Sequence, residues 1–151
     1  NTDTQQHAYV LKVEESDAPA ELQNALAVGN QLQDILTEQF VIGRTGNEIL
    51  LDALNNAKSV GIKPQIYTHP IGYYGHGSGP TIGMWDKQQG VPINGDYPLY
   101  KNTAYSIELN AKVYIKSWGK EVAIMLEEDA FFDGEKCEYM DPRQTKLILI
   151  K

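Results

Sequence analysis

Residues 65–83 read QIYTHPIGYYGHGSGPTIG. This stretch holds two of the three histidines, His69 and His76, with five of the thirteen glycines and two of the seven prolines. Glycine reaches φ > 0 and permits close backbone approach, whereas proline fixes φ and removes a donor. A segment that mixes both with two imidazoles and three tyrosines, Tyr67, Tyr73 and Tyr74, is unlike plain core. It reads as a strand over 66–68 running into a shaped loop that presents the imidazoles. Neutral imidazole is a common metal ligand and an acid or base near neutral pH. On this stretch alone, ordinary turn histidines fit equally well.

Working outward, the upstream side is helical behind one strand. Residues 8–13 (AYVLKV) predict a strand with Tyr9, Leu11 and Val13 on one face. Residues 14–20 form a polar turn. Asp17 and Pro19 mark the start of a helix over 19–39, where Leu22, Ala25, Leu26, Leu32, Ile35, Leu36 and Phe40 recur at three and four. Thr45-x-x-Glu48 is a capping box ahead of a second helix carrying Ile49, Leu50, Ala53, Leu54, Ala57 and Val60, with Gly61 as its C-cap. Downstream the chain turns β-rich. Strands are predicted over 105–110, 112–118, 121–126, 130–132 and 146–150, with a hairpin turn at Ser117-Trp118-Gly119-Lys120. The order predicts an α+β fold with both helices on one face of an antiparallel sheet.

At 151 residues the chain is one domain or most of one. Its net charge of −7 argues against nucleic acid or an anionic membrane as the main partner. One cysteine, Cys137, excludes an internal disulfide framework, and no apolar run is long enough to span a bilayer. The start at Asn1, without Met, reads as a processed or truncated end.

Two carboxylates sit where strands are normally apolar. Glu108 lies between Ile107 and Leu109, and Glu127 follows Val122-Ala123-Ile124-Met125-Leu126. Burying a carboxylate costs several kcal/mol unless it is paired or bound to a cation. Alternation in YSIELN puts Tyr105, Ile107 and Leu109 on one face and Ser106, Glu108 and Asn110 on the other, so a solvated Glu108 also fits. Asp3, just ahead of a strand, is the third carboxylate and fits a loop aspartate as well. Asp3, His69, Glu108 and Glu127 together make an oxygen-rich set with one nitrogen, suited to Mn²⁺, Zn²⁺, Co²⁺ or Fe²⁺. His7 reads as structural or exposed.

These segments resemble the pita-bread metallopeptidases: methionine aminopeptidase, aminopeptidase P and prolidase, with creatinase as a relative of different chemistry. The resemblance covers essentially the whole chain and corresponds to the C-terminal part of that catalytic domain. NTDTQQHAYVL maps a metal-binding aspartate onto Asp3. THPIGYYGHGSGP maps a ligand histidine onto His69 and a substrate-contacting histidine onto His76. YSIELN and MLEEDAFFDG map the two glutamates onto Glu108 and Glu127, with Glu128 and Asp129 as acids behind the ligands or on the surface. The resemblance implies a pita-bread fold incomplete at its N-terminal side, and two adjacent divalent ions (Mn, Co or Zn) bridged by an aspartate and a glutamate. Asp3, His69, Glu108 and Glu127 would complete one ion's ligand set. The second ion's further aspartate and an upstream substrate-binding histidine would lie before Asn1, in a missing part of the same domain.

The implied activity is hydrolysis of the N-terminal peptide bond of a peptide substrate, in the manner of an Xaa-Pro aminopeptidase or dipeptidase. Glu108 would shuttle the proton, His76 would hydrogen-bond the substrate, and residues 1–151 alone need not be active. Proline-specific members carry a histidine where Gln65 stands and often an arginine where Met125 stands, and Thr68 replaces the usual glycine before the ligand histidine. These departures weaken a strict Xaa-Pro specificity and leave the ligands untouched. The competing expectations are a non-catalytic module that binds a peptide or a partner, and a metal-free creatinase-like hydrolase. A homo-oligomer stays open.

Overall fold

The computed structural model describes residues 3–151. The elements run β1 (Ala8–Val10), α1 (Ala20–Thr37), α2 (Gly46–Ser59), β2 (Lys63–Ile66), β3 (His69–Gly72), β4 (Gly75–His76), β5 (Thr103–Ile115), β6 (Lys120–Phe132), β7 (Cys137–Tyr139) and β8 (Ile148–Ile150). Both helices follow their apolar stripes. Thr45 caps α2 with the full reciprocal capping box, and Gly61 (φ +83) follows its last turn in the left-handed conformation.

The spine is the β5–β6 hairpin. Its strands pair without a bulge from Thr103↔Phe132 to Ile115↔Lys120. A short turn of 3₁₀ helix, Lys116–Trp118, and Gly119 at φ 63 close it. Four shorter strands were expected in this region, and two of thirteen residues are found. The residues left between the predicted strands, Ala111 and Glu127-Glu128-Asp129, lie inside the two long strands.

The main sheet has the order β4-β3-β5-β6-β7, with β2 also on β5, and all its pairs are antiparallel. β2 and β3 follow β5 in one register, Ile66↔Leu109 and His69↔Ser106. Between them Tyr67 N–H still donates to the Glu108 carbonyl (3.0 Å), while Thr68 exchanges hydrogen bonds with Ile82 (2.9 and 2.7 Å). This corrects the expected strand over 66–68: His69 stands on a strand of the sheet. His76 stands on the return arm of a tight hairpin, where Ile71 faces His76. A Cβ on Gly77 would come within 2.8 Å of the Ile71 carbonyl carbon, so the hairpin closes only with glycine there.

Both helices lie on one face of the sheet, against Tyr105, Ile107, Leu109, Leu126 and Phe132, all fully buried. α1 reaches the sheet at Gly29, where a Cβ would meet Leu126 Cδ1 at 2.8 Å. Phe40 stands edge-on to Tyr105 and Phe132, with ring centroids 5.1 and 5.9 Å apart.

The outer strands depart furthest from expectation. β1 stops at Val10 because the chain turns at residues 12–15, where Glu15 N–H bonds the Lys12 carbonyl and Glu14 has φ 77. Val13 is consequently 90% exposed rather than on an inward face. β8 is shorter than the predicted 146–150 and pairs with β1 in parallel, as a separate two-stranded sheet. β7 had no counterpart in the sequence reading. No helix among the described residues is long and apolar enough to cross a membrane.

Candidate metal centre

The face of the sheet away from the helices is polar and still largely buried. Because β5 and β6 alternate without a break, Ser106, Glu108 and Asn110 share that face with Met125, Glu127 and Asp129. Glu108 lies directly opposite Glu127 in the ladder, a like-charge pairing that is unfavourable on its own. Both glutamates are partly buried rather than solvated.

His69 enters from β3, paired with Ser106. Its ring is buried. Nδ1–H donates to the Pro70 carbonyl at 3.2 Å, which makes Nε2 the lone-pair nitrogen when the ring is neutral. Nε2 is buried with no hydrogen-bond partner and lies 3.7 Å from Glu108 Oε2 and 3.8 Å from Asp3 Oδ2. Ligand atoms of His69, Glu108 and Glu127 all fall within 4.8 Å of one another.

Asp3 arrives from the chain's other end. Residues 3–5 run beside β6, held by two backbone hydrogen bonds between Gln5 and Glu127 (2.8 and 3.2 Å) and by Asp3 N–H donating to Asp129 Oδ1 at 3.2 Å. Ser106 Oγ–H donates to Glu127 Oε1 at 2.8 Å. The sequence reading had no role for Ser106, although its place one strand period from Glu108 put it on the same face. It left Asp129 undivided from Glu128; the structure separates them. Asp129 holds Asp3, whereas Glu128 faces the helices and accepts from Gln144 N–H at 2.9 Å.

His76 stacks on His69, with ring centroids 3.8 Å apart and planes at 29°. Its ligand atom also falls within 4.8 Å of those of Asp3 and His69. The residue expected to contact substrate therefore lies within reach of the ligands too. Tyr67 stands beside both imidazoles and edge-on to Trp85. Tyr73 and Tyr74 are 86% and 92% exposed at the hairpin tip. His7 is half-buried and does not belong to either group of neighbouring ligand atoms among the described residues.

The electrostatics fit a cation. Burial, then the charges of Glu108 and Asp3, raise the Glu127 carboxyl to about 7, against the partial relief of Ser106 and His69. Burial pulls the His69 imidazolium down, but the nearby Glu108 carboxylate, the Pro70 carbonyl and the charge of Asp3 outweigh it, and its pKa is raised. Carboxylates crowded around a buried imidazole nitrogen with no hydrogen-bond partner match the donor set that a divalent metal with mixed oxygen and nitrogen ligands takes. Asp3, His69, Glu108 and Glu127 are the residues that could hold it, with His76 at the rim.

No family model and no curated protein matches the sequence. Solved structures do. The X-Pro aminopeptidase of Thermotoga maritima MSB8 superposes with TM-score 0.67 at 17% identity over 98% of this chain and 37% of its own. A dipeptidase of Pyrococcus horikoshii OT3 gives 0.66 at 16% identity over 99% and 37%. The N-terminal domain of the FACT complex subunit SPT16 of Cicer arietinum gives 0.56 at 13% identity over 89% and 32%. The chain thus spans about 37% of the length of the first two. The fold is the pita-bread fold, α+β with a mostly antiparallel sheet. One fold shared by peptidases and a subunit of the FACT complex leaves activity to be argued from the site.

Proposed function

We propose, with the pita-bread fold as premise, that this chain carries the cation-binding face of a hydrolase acting on the N-terminal peptide bond of peptides. Xaa-Pro peptides are the first substrates to test, because proteins named as X-Pro aminopeptidase and Xaa-Pro dipeptidase share the fold. The observation that carries the reading is His69 Nε2: buried, without a hydrogen-bond partner, and turned toward carboxylates. In this reading residues 1–151 are the C-terminal portion of the catalytic domain, and an upstream part completes the substrate pocket.

Asp3, His69, Glu108 and Glu127 would hold a divalent cation, which would supply Lewis acidity to a water and to the scissile carbonyl. Glu108 takes the proton of the attacking water and passes it to the leaving amine as the C–N bond breaks. His76, at the open rim, donates a hydrogen bond to the carbonyl oxygen as negative charge grows there, an effect worth roughly 3–4 kcal/mol where such donors have been removed. Ser106 orients Glu127 and Asp129 orients Asp3. The Pro70 carbonyl keeps the His69 tautomer that leaves Nε2 free.

Titration with Co²⁺, followed by visible absorption, and assays with X-Pro and Met-X peptides test this. Expected are Co²⁺ binding that His69→Ala removes and turnover that Glu108→Gln removes. No Co²⁺ binding, or turnover unchanged in both variants, overturns it. A second reading, a module that binds a peptide or partner without turnover, draws on the FACT-subunit neighbour. Cation binding with none of these peptides hydrolysed, even with the upstream part of the domain present, selects it.

A further inference from the structure

We infer that the lysine pair at the far end of the site face, Lys63 beside Lys112, is a subsite for the free C-terminal carboxylate of a short peptide substrate. The inference rests on the peptidase reading above and adds to it a substrate class.

The site face is a ladder of cross-strand rows. His69, Ser106 and Asp129 form one row, and Glu108 with Glu127 forms the next. Gln65, Asn110 and Met125 follow, with Asn110 Nδ2–H donating to Gln65 Oε1 at 3.0 Å. Then come Lys63, Lys112 and Ala123. Alternation along an unbroken strand keeps these rows on one side of the sheet.

Two ammonium groups directly opposite each other in a ladder repel. Glu121 pairs with Lys63 only, which leaves Lys112 and the neighbouring Lys58 without an ion pair among the described residues. A cavity of about 430 Å³ opens here, lined in part by Lys58, Lys63, Gln65, Gln88, Lys112 and Glu121. Three cations against one anion around one cavity are unusual in a chain of net charge −7. At the opposite end of the same face Ala104 stands beside Phe131, which is 39% exposed, and beyond Phe131 the row ends in Glu138, paired with Lys136. The face therefore runs from an exposed aromatic ring, through the carboxylate cluster, to the lysines. A peptide laid along it with its N-terminal residue toward Phe131 points its C-terminus at the lysines.

The spacing sets the length. Glu108 to Lys112 is four residues of strand, or ~13 Å at ~3.3 Å per residue. An extended peptide advances ~3.3–3.6 Å per residue, so chains of about three to five residues bridge the two rows.

Calorimetric titration of the Mn²⁺-loaded protein with a tetrapeptide, as free acid and as C-terminal amide, tests this alongside hydrolysis of both. The free acid is expected to bind about five- to tenfold tighter, and the Lys63→Ala/Lys112→Ala double variant to erase that difference. Co²⁺ absorption unchanged in the double variant shows that the ligand cluster is intact. Equal binding and hydrolysis of acid and amide overturn the inference alone, and so does a preference that survives the double variant. A glutamate-ended amide binding as tightly as the free acid overturns the C-terminal assignment in favour of acidic side chains. Neither peptide bound nor hydrolysed, with the upstream part of the domain present, overturns it together with the peptidase reading.

Discussion

The two faces of the β5–β6 hairpin are built from alternate residues of the same strands and obey opposite rules. Toward the helices stand Tyr105, Ile107, Leu109, Leu126 and Phe132, apolar and fully buried. Toward the site stand Ser106, Glu108, Asn110, Glu127 and Asp129, polar and largely buried as well. Burying the first set is favourable by about 25 cal/mol per Å² of apolar surface. Burying the second is unfavourable unless each group finds a partner. One face stabilises the fold, and the other draws on that stability to hold crowded carboxylates around a nitrogen with no partner.

Substitutions on the two faces should therefore separate. Ile107→Ala is expected to destabilise the protein by about 2–5 kcal/mol, read as a lower midpoint in urea unfolding. Gly29→Val, forced against Leu126, should cost about 1–3 kcal/mol by overpacking. His69→Ala on the other face should abolish Co²⁺ binding while leaving the metal-free unfolding midpoint nearly unchanged. A large loss of metal-free stability in His69→Ala would erase the contrast between the faces.

The contrast sharpens with pH. The raised carboxyl of Glu127 means that the unfolded chain releases its proton near pH 4.5 while the folded chain holds it until about 7. The raised His69 pKa acts in the same sense, giving stability that is present at low pH and lost as pH rises through the folded value. Metal-free protein should therefore lose stability between about pH 4.5 and 7, and Glu127→Gln should flatten that slope. Mn²⁺ should restore stability increasingly over the same range, because its ligands must be deprotonated. A metal-free midpoint that climbs with pH through this window would contradict the assigned shifts. The smallest effect is expected at Ser106→Ala, about 1 kcal/mol for the lost hydrogen bond to Glu127.

The same contrast explains what was legible in the sequence. The helix face was readable, because three-and-four spacing and the Thr45–Glu48 box are local signals. So were the faces of YSIELN. The strand lengths were not: the Glu127-Glu128-Asp129 run looks like an interruption, since a site face breaks the usual apolar pattern. His69 read as a loop residue because the glycines and prolines after it belong to a hairpin that sits on the sheet. Which of Glu128 and Asp129 faces the site depends on register, which no single stretch encodes. Nor could spacing bring Asp3 beside residues more than sixty positions away. The resemblance located those four positions; the β1–β8 pairing and β7 rest on contacts that leave no local pattern.

The most direct measurement is an anomalous difference map from crystals of this chain grown with Mn²⁺. A peak bounded by His69 Nε2 and carboxylate oxygens of Asp3, Glu108 and Glu127 is the predicted result. A map with no peak there, while those four side chains keep the positions described, would contradict the assignment.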